Sequence, residues 1–452
     1  MAKKKRRYKK SVKRGCALLA VLLVAGVLCS VRTCLGRFTA ARRQAAAVLR
    51  EGEAGTPPPA PNPAVGEALR QLKDAPQRLD TGRVCLVVYD LTARRPVMEW
   101  NSRRLVIPAS TLKLLTAVAA LQRLGVGHRY VSSTRILGEV NRGTLYGTAL
   151  LQTEDDPMLE TLDSLVEALH GAGIRRVEGA ILLDLLRDDT LKAHPTAARW
   201  DIPYHRLPLL LKGRQHVERE LRYLLARRGI RVRENPLLVP QGLLDDRASV
   251  SYRLALADYT TKARRLYDHA TPLTDVVTPM LVHSSNIKAD ALFHHLDHLY
   301  TPLLGQHEPA KRLVDRFIDE DMKYTEAERA AFVINDGSGL SPENRVTAHF
   351  LTELLRYAWQ RQDIRRVLVR QSLATPGVPD RRGSLLSRMT GEAFRSRIYC
   401  KTGTLTTRGS SSLAGYAKGR DGHWYAFCII NEDSPVAESR IYQDKVCRIL
   451  VQ

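Results

Sequence analysis

Leu105 to Gly125 reads LVIPASTLKLLTAVAALQRLG, and Lys401 to Ala417, near the other end of the chain, reads KTGTLTTRGSSSLAGYA. In the first stretch Pro108-Ala109 precede an apolar run, Thr111 to Leu124, that stops at a glycine and predicts a helix. In the second, a strand over Ile398 to Lys401 gives way to a glycine, and a further strand follows over Ser412 to Lys418. Working outward, Val84 to Asp90 predicts a strand, Leu91 to Arg95 a turn and Pro96 to Trp100 another strand. After a turn at Gly419 to Gly422, Trp424 to Ile430 adds a strand and Ala437 to Leu450 a closing helix. Two strands near the start and three near the end imply one sheet built from both ends of the chain. The middle must then supply helices and an inserted region. Residues 136 to 265 alternate strand-like runs, such as Ala180 to Asp184, with helical ones, such as Leu162 to Gly171. Helical pattern returns from Leu273 through His298, and no internal repeat is visible.

The chain has 452 residues, room for one large domain with an insertion or for two to three ordinary domains. With 44% hydrophobic and 26% charged residues it has the make-up of a globular protein. The formal net charge is +23, and nine cations fall in the first 14 residues. Such a field attracts polyanions, but no nucleic-acid-binding motif accompanies it, so anionic envelope polymers and lipid head groups suit it better. Residues 15 to 31, GCALLAVLLVAGVLCSV, are uncharged and apolar. The cations before them favour a cytoplasmic N-terminus and an extracytoplasmic body. The organisation expected is a basic tail (1–14), a transmembrane anchor or signal (15–33), with an uncleaved anchor favoured, and a Pro-rich linker (34–65). A catalytic domain follows from 66–135 and 266–452, interrupted by an insertion domain (136–265). Cys85, Cys400, Cys428 and Cys447 lie in apolar surroundings and read as buried free thiols, although a disulfide among them is conceivable in an oxidising compartment.

Three short motifs carry chemistry. Ser110-Thr111-Leu112-Lys113 puts a serine and a lysine at i and i+3, on one helix face. A serine hydroxyl becomes a nucleophile only when a base takes its proton, and a desolvated, neutral lysine can be that base. Alone, the motif reads equally well as a capping serine. Ser284-Ser285-Asn286 opens the run NIKADALFHHL, and alone it too reads as a cap. Lys401-Thr402-Gly403-Thr404 ends a strand, where a lysine and a hydroxyl can hold a carboxylate; the glycine clears the strand edge. The order S-x-x-K, S-x-N, K-T-G, each in suitable local structure, is far more specific than any one of them.

On these motifs, with the segments SSNIKADALFHH (284–295) and NDGSGLS (335–341), the chain resembles the class C low-molecular-mass penicillin-binding proteins. These are D-alanyl-D-alanine carboxypeptidases and endopeptidases of the type-4 kind. The resemblance covers roughly residues 80 to 450. It is loose from 185 to 265; DDP (155–157) and Trp200 to Tyr204 look like landmarks of the family's insertion. It implies an α/β (α+β) fold, a serine β-lactamase/transpeptidase-like three-layer sandwich with an antiparallel sheet and a reduced insertion domain between the first two motifs. It also implies an extracytoplasmic enzyme acting on peptidoglycan stem peptides, with β-lactams as covalent inhibitors and no metal or cofactor. Ser110 would attack the penultimate D-alanine carbonyl and Lys113 would take its proton. N–H groups of Ser110 and Thr404 would form the oxyanion hole. Ser284 would relay a proton to the leaving amine, Asn286 would hold the substrate amide, and Lys401 and Thr402 would bind the terminal carboxylate.

Two departures stand out. Ser285 occupies a position where the family often has aspartate. The 174 residues from Ser110 to Ser284 are fewer than usual, hence the reduced insertion. Asp201 reads as a solvated loop residue rather than a ligand for a basic stem-peptide group. The segment NDGSGL has no P-loop lysine and reads as a structural loop beside the site. His294 and His298 stand at i, i+4, but with His283 and His295 they lack the acidic residue of a zinc-binding helix. Three other readings are weighed. A β-lactamase would need a glutamate loop ahead of the second motif, and Glu343 comes after it. A peptidoglycan-recognising module without activity would have no use for Lys113. A polyanion-binding envelope protein rests on charge alone.

Overall fold

A computed structural model describes residues 58–75, 77–184, 206–233, 237–238, 262–298 and 313–452. The basic tail, the apolar run at 15–31, most of the Pro-rich segment and Trp200 to Tyr204 lie outside the described residues. Among those described, no helix is long and apolar enough to cross a membrane.

The first described helix is α1 (Pro63–Asp74), begun by Asn62, whose side chain accepts from the N–H of Ala64, with Pro63 in the first turn. Strands β1 (Val84–Asp90) and β2 (Arg95–Trp100) form a hairpin. Asp90 closes its turn by accepting from the N–H groups of Thr92 and Ala93. Helix α2 (Lys113–Arg123) follows. Next comes a long hairpin of β3 (Arg129–Asn141) and β4 (Thr144–Gln152). Its turn residues Arg142 and Gly143 both have positive φ, the geometry of a tight primed turn. After helix α3 (Asp163–Gly171) come β5 (Arg176–Val177) and β6 (Ile181–Asp184), helix α4 (Arg214–Arg227), β7 (Arg231–Val232), β8 (Leu237–Leu238) and β9 (Arg264–Pro272). Helices α5 (Leu273–Val282), α6 (Asn286–His298), α7 (Ala348–Gln360) and α8 (Gln362–Val367) precede β10 (Ile398–Leu405), β11 (Ser410–Lys418), β12 (Trp424–Asn431) and the closing helix α9 (Val436–Leu450).

Among the described residues, five strands form one sheet in the order β10-β11-β12-β1-β2, every pairing antiparallel. The sheet is therefore built from both ends of the chain, as the strand pattern predicts. Its central strands are buried on both faces. On β12, Ala426, Cys428 and Ile430 pack with Leu114 and Val118 of α2 and Leu354 of α7. The alternate residues Tyr425, Phe427 and Ile429 pack with Leu69 of α1 and Tyr442, Val446 and Leu450 of α9. Helices on each face of one sheet make three layers, the sandwich expected. Each fully buried Leu, Val or Phe side chain contributes about 1.5–3 kcal/mol.

A second sheet, over Arg129 to Pro272, runs β7-β5-β4-β3-β9, with β6 and β8 branching from β4. Its β4–β6 and β5–β7 pairs are parallel. Helices α3 and α4 cover it with a core of their own, including Ile136, Leu165, Val166 and Leu221. Cys85, Cys400, Cys428 and Cys447 are free and buried, and burial pushes the Cys85 thiol up to about 11.

Candidate active site

Helix α2 does not begin directly at Thr111. A 3-10 turn, Ala109–Leu112, leads into it and carries Ser110. Ala109 has φ +47, a conformation that costs a non-glycine residue on the order of 1 kcal/mol, next to Ser110. Neither the 3-10 turn nor α2 receives a side-chain cap, so Ser110 is not a capping serine. Its Oγ lies 2.9 Å from Lys113 Nζ.

Lys113 is fully buried. Its Nζ also donates to Asn286 Oδ1 and to the Ser338 carbonyl, both at 2.7 Å. Both oxygens can only accept. In the neutral form that a general base needs, Lys113 has two N–H bonds and one lone pair, and donation to these two acceptors turns the lone pair toward Ser110.

Ser284, at φ +60, turns its hydroxyl to Lys401 Nζ at 2.8 Å. Ser285 does the capping of α6, accepting weakly from the N–H of Lys288. Serine and aspartate are both good caps, which accounts for a serine at this position. Lys401, fully buried on β10, also donates to its neighbour's carbonyl, Thr402 O, at 2.8 Å. Burial first, and the Lys113 ammonium second, hold the Lys401 amine well below the ordinary lysine range.

Gly403 has a packing role that its neighbours make plain. A Cβ there would lie 2.2 Å from Ser412 Oγ and 2.9 Å from both Pro108 O and Ser110 N. The glycine lets β10 press against the segment bearing the nucleophile. Ser412 Oγ and Ser410 Oγ donate to Pro108 O and Ile107 O, and the Glu432 carboxylate accepts from Ile107 N–H, fastening that segment to the sheet edge. Thr402 and Thr404 stand half-exposed at this edge. Their hydroxyls meet Ser384 Oγ and the Arg440 guanidinium, respectively.

All eight sequence candidates thus sit on three elements that meet at one place: Ser110 and Lys113; Ser284 and Asn286; Lys401, Thr402, Gly403 and Thr404. Sequence reasoning missed how closely NDGSGLS takes part. Thr116 Oγ1 donates to Gly337 O, and Asp336 accepts from the N–H groups of Ser338, Gly339 and Ser341. Asp336 thereby shapes the turn that aims the Ser338 carbonyl at Lys113. Asp-x-Ser-Gly is a turn signal in the sequence, but nothing there says which lysine it serves. Ser384 and Arg440 carry no such signal.

A profile of the D-Ala-D-Ala carboxypeptidase 3 (S13) family matches residues 67–203 and 239–450. A D-alanyl-D-alanine carboxypeptidase from Actinomadura sp. is 24% identical over 420 residues, 76% of this chain and 77% of that protein. Penicillin binding protein 4 from Haemophilus influenzae superposes with a TM-score of 0.60 at 18% identity, covering 84% of this chain and 97% of that one. A predatory endopeptidase from Bdellovibrio bacteriovorus does so with a TM-score of 0.52 at 15% identity, covering 81% and 93%. These two likenesses concern the fold.

Proposed function

Because the chain belongs to the D-Ala-D-Ala carboxypeptidase 3 (S13) family, we propose that it hydrolyses peptidoglycan stem peptides through an acyl-enzyme on Ser110. The reading rests above all on Lys113, whose Nζ is held between Asn286 Oδ1 and Ser338 O with Ser110 Oγ at 2.9 Å. Ser110 Oγ attacks the carbonyl carbon of the penultimate D-alanine while Lys113 takes its proton. The oxyanion is held by the N–H groups of Ser110 and Thr404, an arrangement that commonly supplies the largest electrostatic share of catalysis. Ser284, hydrogen-bonded to Lys401, passes a proton to the leaving amine. Asn286 orients the substrate amide, and Lys401 with Thr402 receives the terminal carboxylate. Water then cleaves the ester, with Lys113 returning to its starting state. A β-lactam enters the same path, but its amine stays tethered, so it inhibits covalently.

The same reading places the enzyme on the extracytoplasmic side, tethered by the apolar run at 15–31, with the sheet of β3 to β9 as the insertion domain. The nine N-terminal cations support that orientation. Fluorescent penicillin tests the core of the proposal. Wild type should take a stable label and Ser110→Ala none; an unlabelled wild type, beside a control that labels, would sink it. Mass spectrometry of digested peptidoglycan then separates terminal D-Ala-D-Ala cleavage from cross-link cleavage.

A further inference from the structure

Far from Ser110, a cleft of about 370 Å³ opens between Trp359, Trp424 and helix α8 with the turn after it. Its floor is aromatic. The two half-buried indoles stand 4.9 Å apart at 46°, with the Arg365 guanidinium 4.9 Å over Trp359 and the Lys418 ammonium 5.6 Å over Trp424. Its wall is cationic. Arg365, Arg366 and Arg370 line it, and Arg366 and Arg370 are exposed. Arg365 donates to a neutral acceptor, Trp359 O, and among the described residues none of the three pairs with a carboxylate. Like charges crowded in this way repel, so the site gains from an anion.

The location is as informative as the chemistry. Gly403 pairs with Ser412, and Trp424 pairs with Lys418, six residues further along the same strand. At about 3.3 Å per residue that is roughly 20 Å from the nucleophile's edge of the sheet. A single stem peptide anchored at Ser110 does not reach there, whereas a polymer carrying such peptides at intervals does. Guanidinium forks match carboxylates, and flat indoles match the apolar face of a sugar ring.

We propose that this cleft is a second binding site, for a carboxylate-bearing saccharide unit of the polymer cleaved at Ser110. The proposal rests on the peptidoglycan reading above and adds to it a grip on the glycan. It makes the enzyme better at attached peptides than at free ones without touching the acylation machinery.

The test uses the full chain carrying Ser110→Ala, which binds without cleaving, in co-sedimentation with insoluble peptidoglycan. Adding Arg366→Gln and Arg370→Gln should weaken binding about tenfold. Glycan stripped of stem peptides should compete with the parent protein. In the Ser110 enzyme the two substitutions should lower kcat/KM on intact peptidoglycan five- to tenfold, leaving penicillin acylation and cleavage of a soluble stem peptide within twofold. Unchanged sedimentation overturns the proposal, and so does competition by acidic peptides rather than stripped glycan. An equal loss on polymer and soluble peptide also overturns it. Failure of wild type to take penicillin would count against the catalytic reading alone, because sedimentation of Ser110→Ala does not depend on activity.

Discussion

Two buried lysines face one another across the site, and the fold holds them there at a cost. Burial and the neighbouring Lys113 push the Lys401 amine down, so between that depressed value and the ordinary lysine range near 10.4 the unfolded chain binds the extra proton. Stability supplied by this group therefore rises with pH across that window and is lost as pH falls through it. Lys401→Met should flatten the slope, measured by denaturant unfolding between pH 7 and about 9.5, below the tyrosine range. It should also slow penicillin acylation by roughly 100-fold or more, on the scale of losing a group that binds the transition state. The adjacent serines make a sharper contrast. Ser285 accepts a capping bond from Lys288 N–H, and Ser284 accepts from Lys401. Ser285→Ala should cost about 1 kcal/mol in unfolding free energy with turnover retained, the usual size of a lost cap. Ser284→Ala should keep the stability and lose about 10²–10⁴ in kcat on a stem peptide, the usual worth of positioned proton transfer.

At the scale of elements, the site depends on how closely β10 approaches the turn before α2. Gly403→Ala inserts a methyl into a gap bounded by Ser412 Oγ, Pro108 O and Ser110 N. The strand must move by several tenths of an ångström, enough to spoil an oxyanion site, where one lost donor is worth about 10²–10³ in rate. The expected outcome is acylation down at least 100-fold with a modest fall in Tm, read by stopped-flow labelling and calorimetry. Gly339, at φ +77 with a Cβ position 1.9 Å from Ala109 O, is the matching contact from the NDGSGLS side. How legible this was follows from the physics of each element. The strand from Trp424 was readable because a doubly buried strand gives a continuous apolar run. The three motifs were readable because their chemistry needs particular side chains in a particular order. The 3-10 turn at Ala109–Leu112 was not, since the apolar pattern of the helix runs through it. Pairs as short as β5–β7 were not either, because two residues carry no period and parallel partners lie far apart in sequence. The grip of Ser338 on Lys113 is a backbone contact across 225 residues and leaves no mark in side-chain identity.

Across the whole molecule, the apolar interior is divided. The sheet of β10, β11, β12, β1 and β2 has one core on each face, and the sheet over Arg129 to Pro272 has another, closed by α3 and α4. Every residue given a catalytic or substrate-binding role belongs to the first sheet, α2 or α6, or the turns leading into those helices. The separation makes the second sheet a testable unit. Leu221 is fully buried in its core, and Leu221→Ala should cost about 2–5 kcal/mol. Below the unfolding temperature, penicillin acylation should nonetheless proceed at the wild-type rate, because the hydrogen bonds described above for Ser110, Lys113, Asn286 and Lys401 lie outside that core. Leu112→Ala is the contrasting case. Leu112 is just as buried, but it sits in the core under the nucleophile's turn, where Gly339 also presses close. It should lose stability and acylation together. Calorimetry and stopped-flow labelling of both variants decide the matter. If Leu221→Ala slows acylation in proportion to its lost stability, the insertion supports the site directly, and its treatment as a separate domain is wrong.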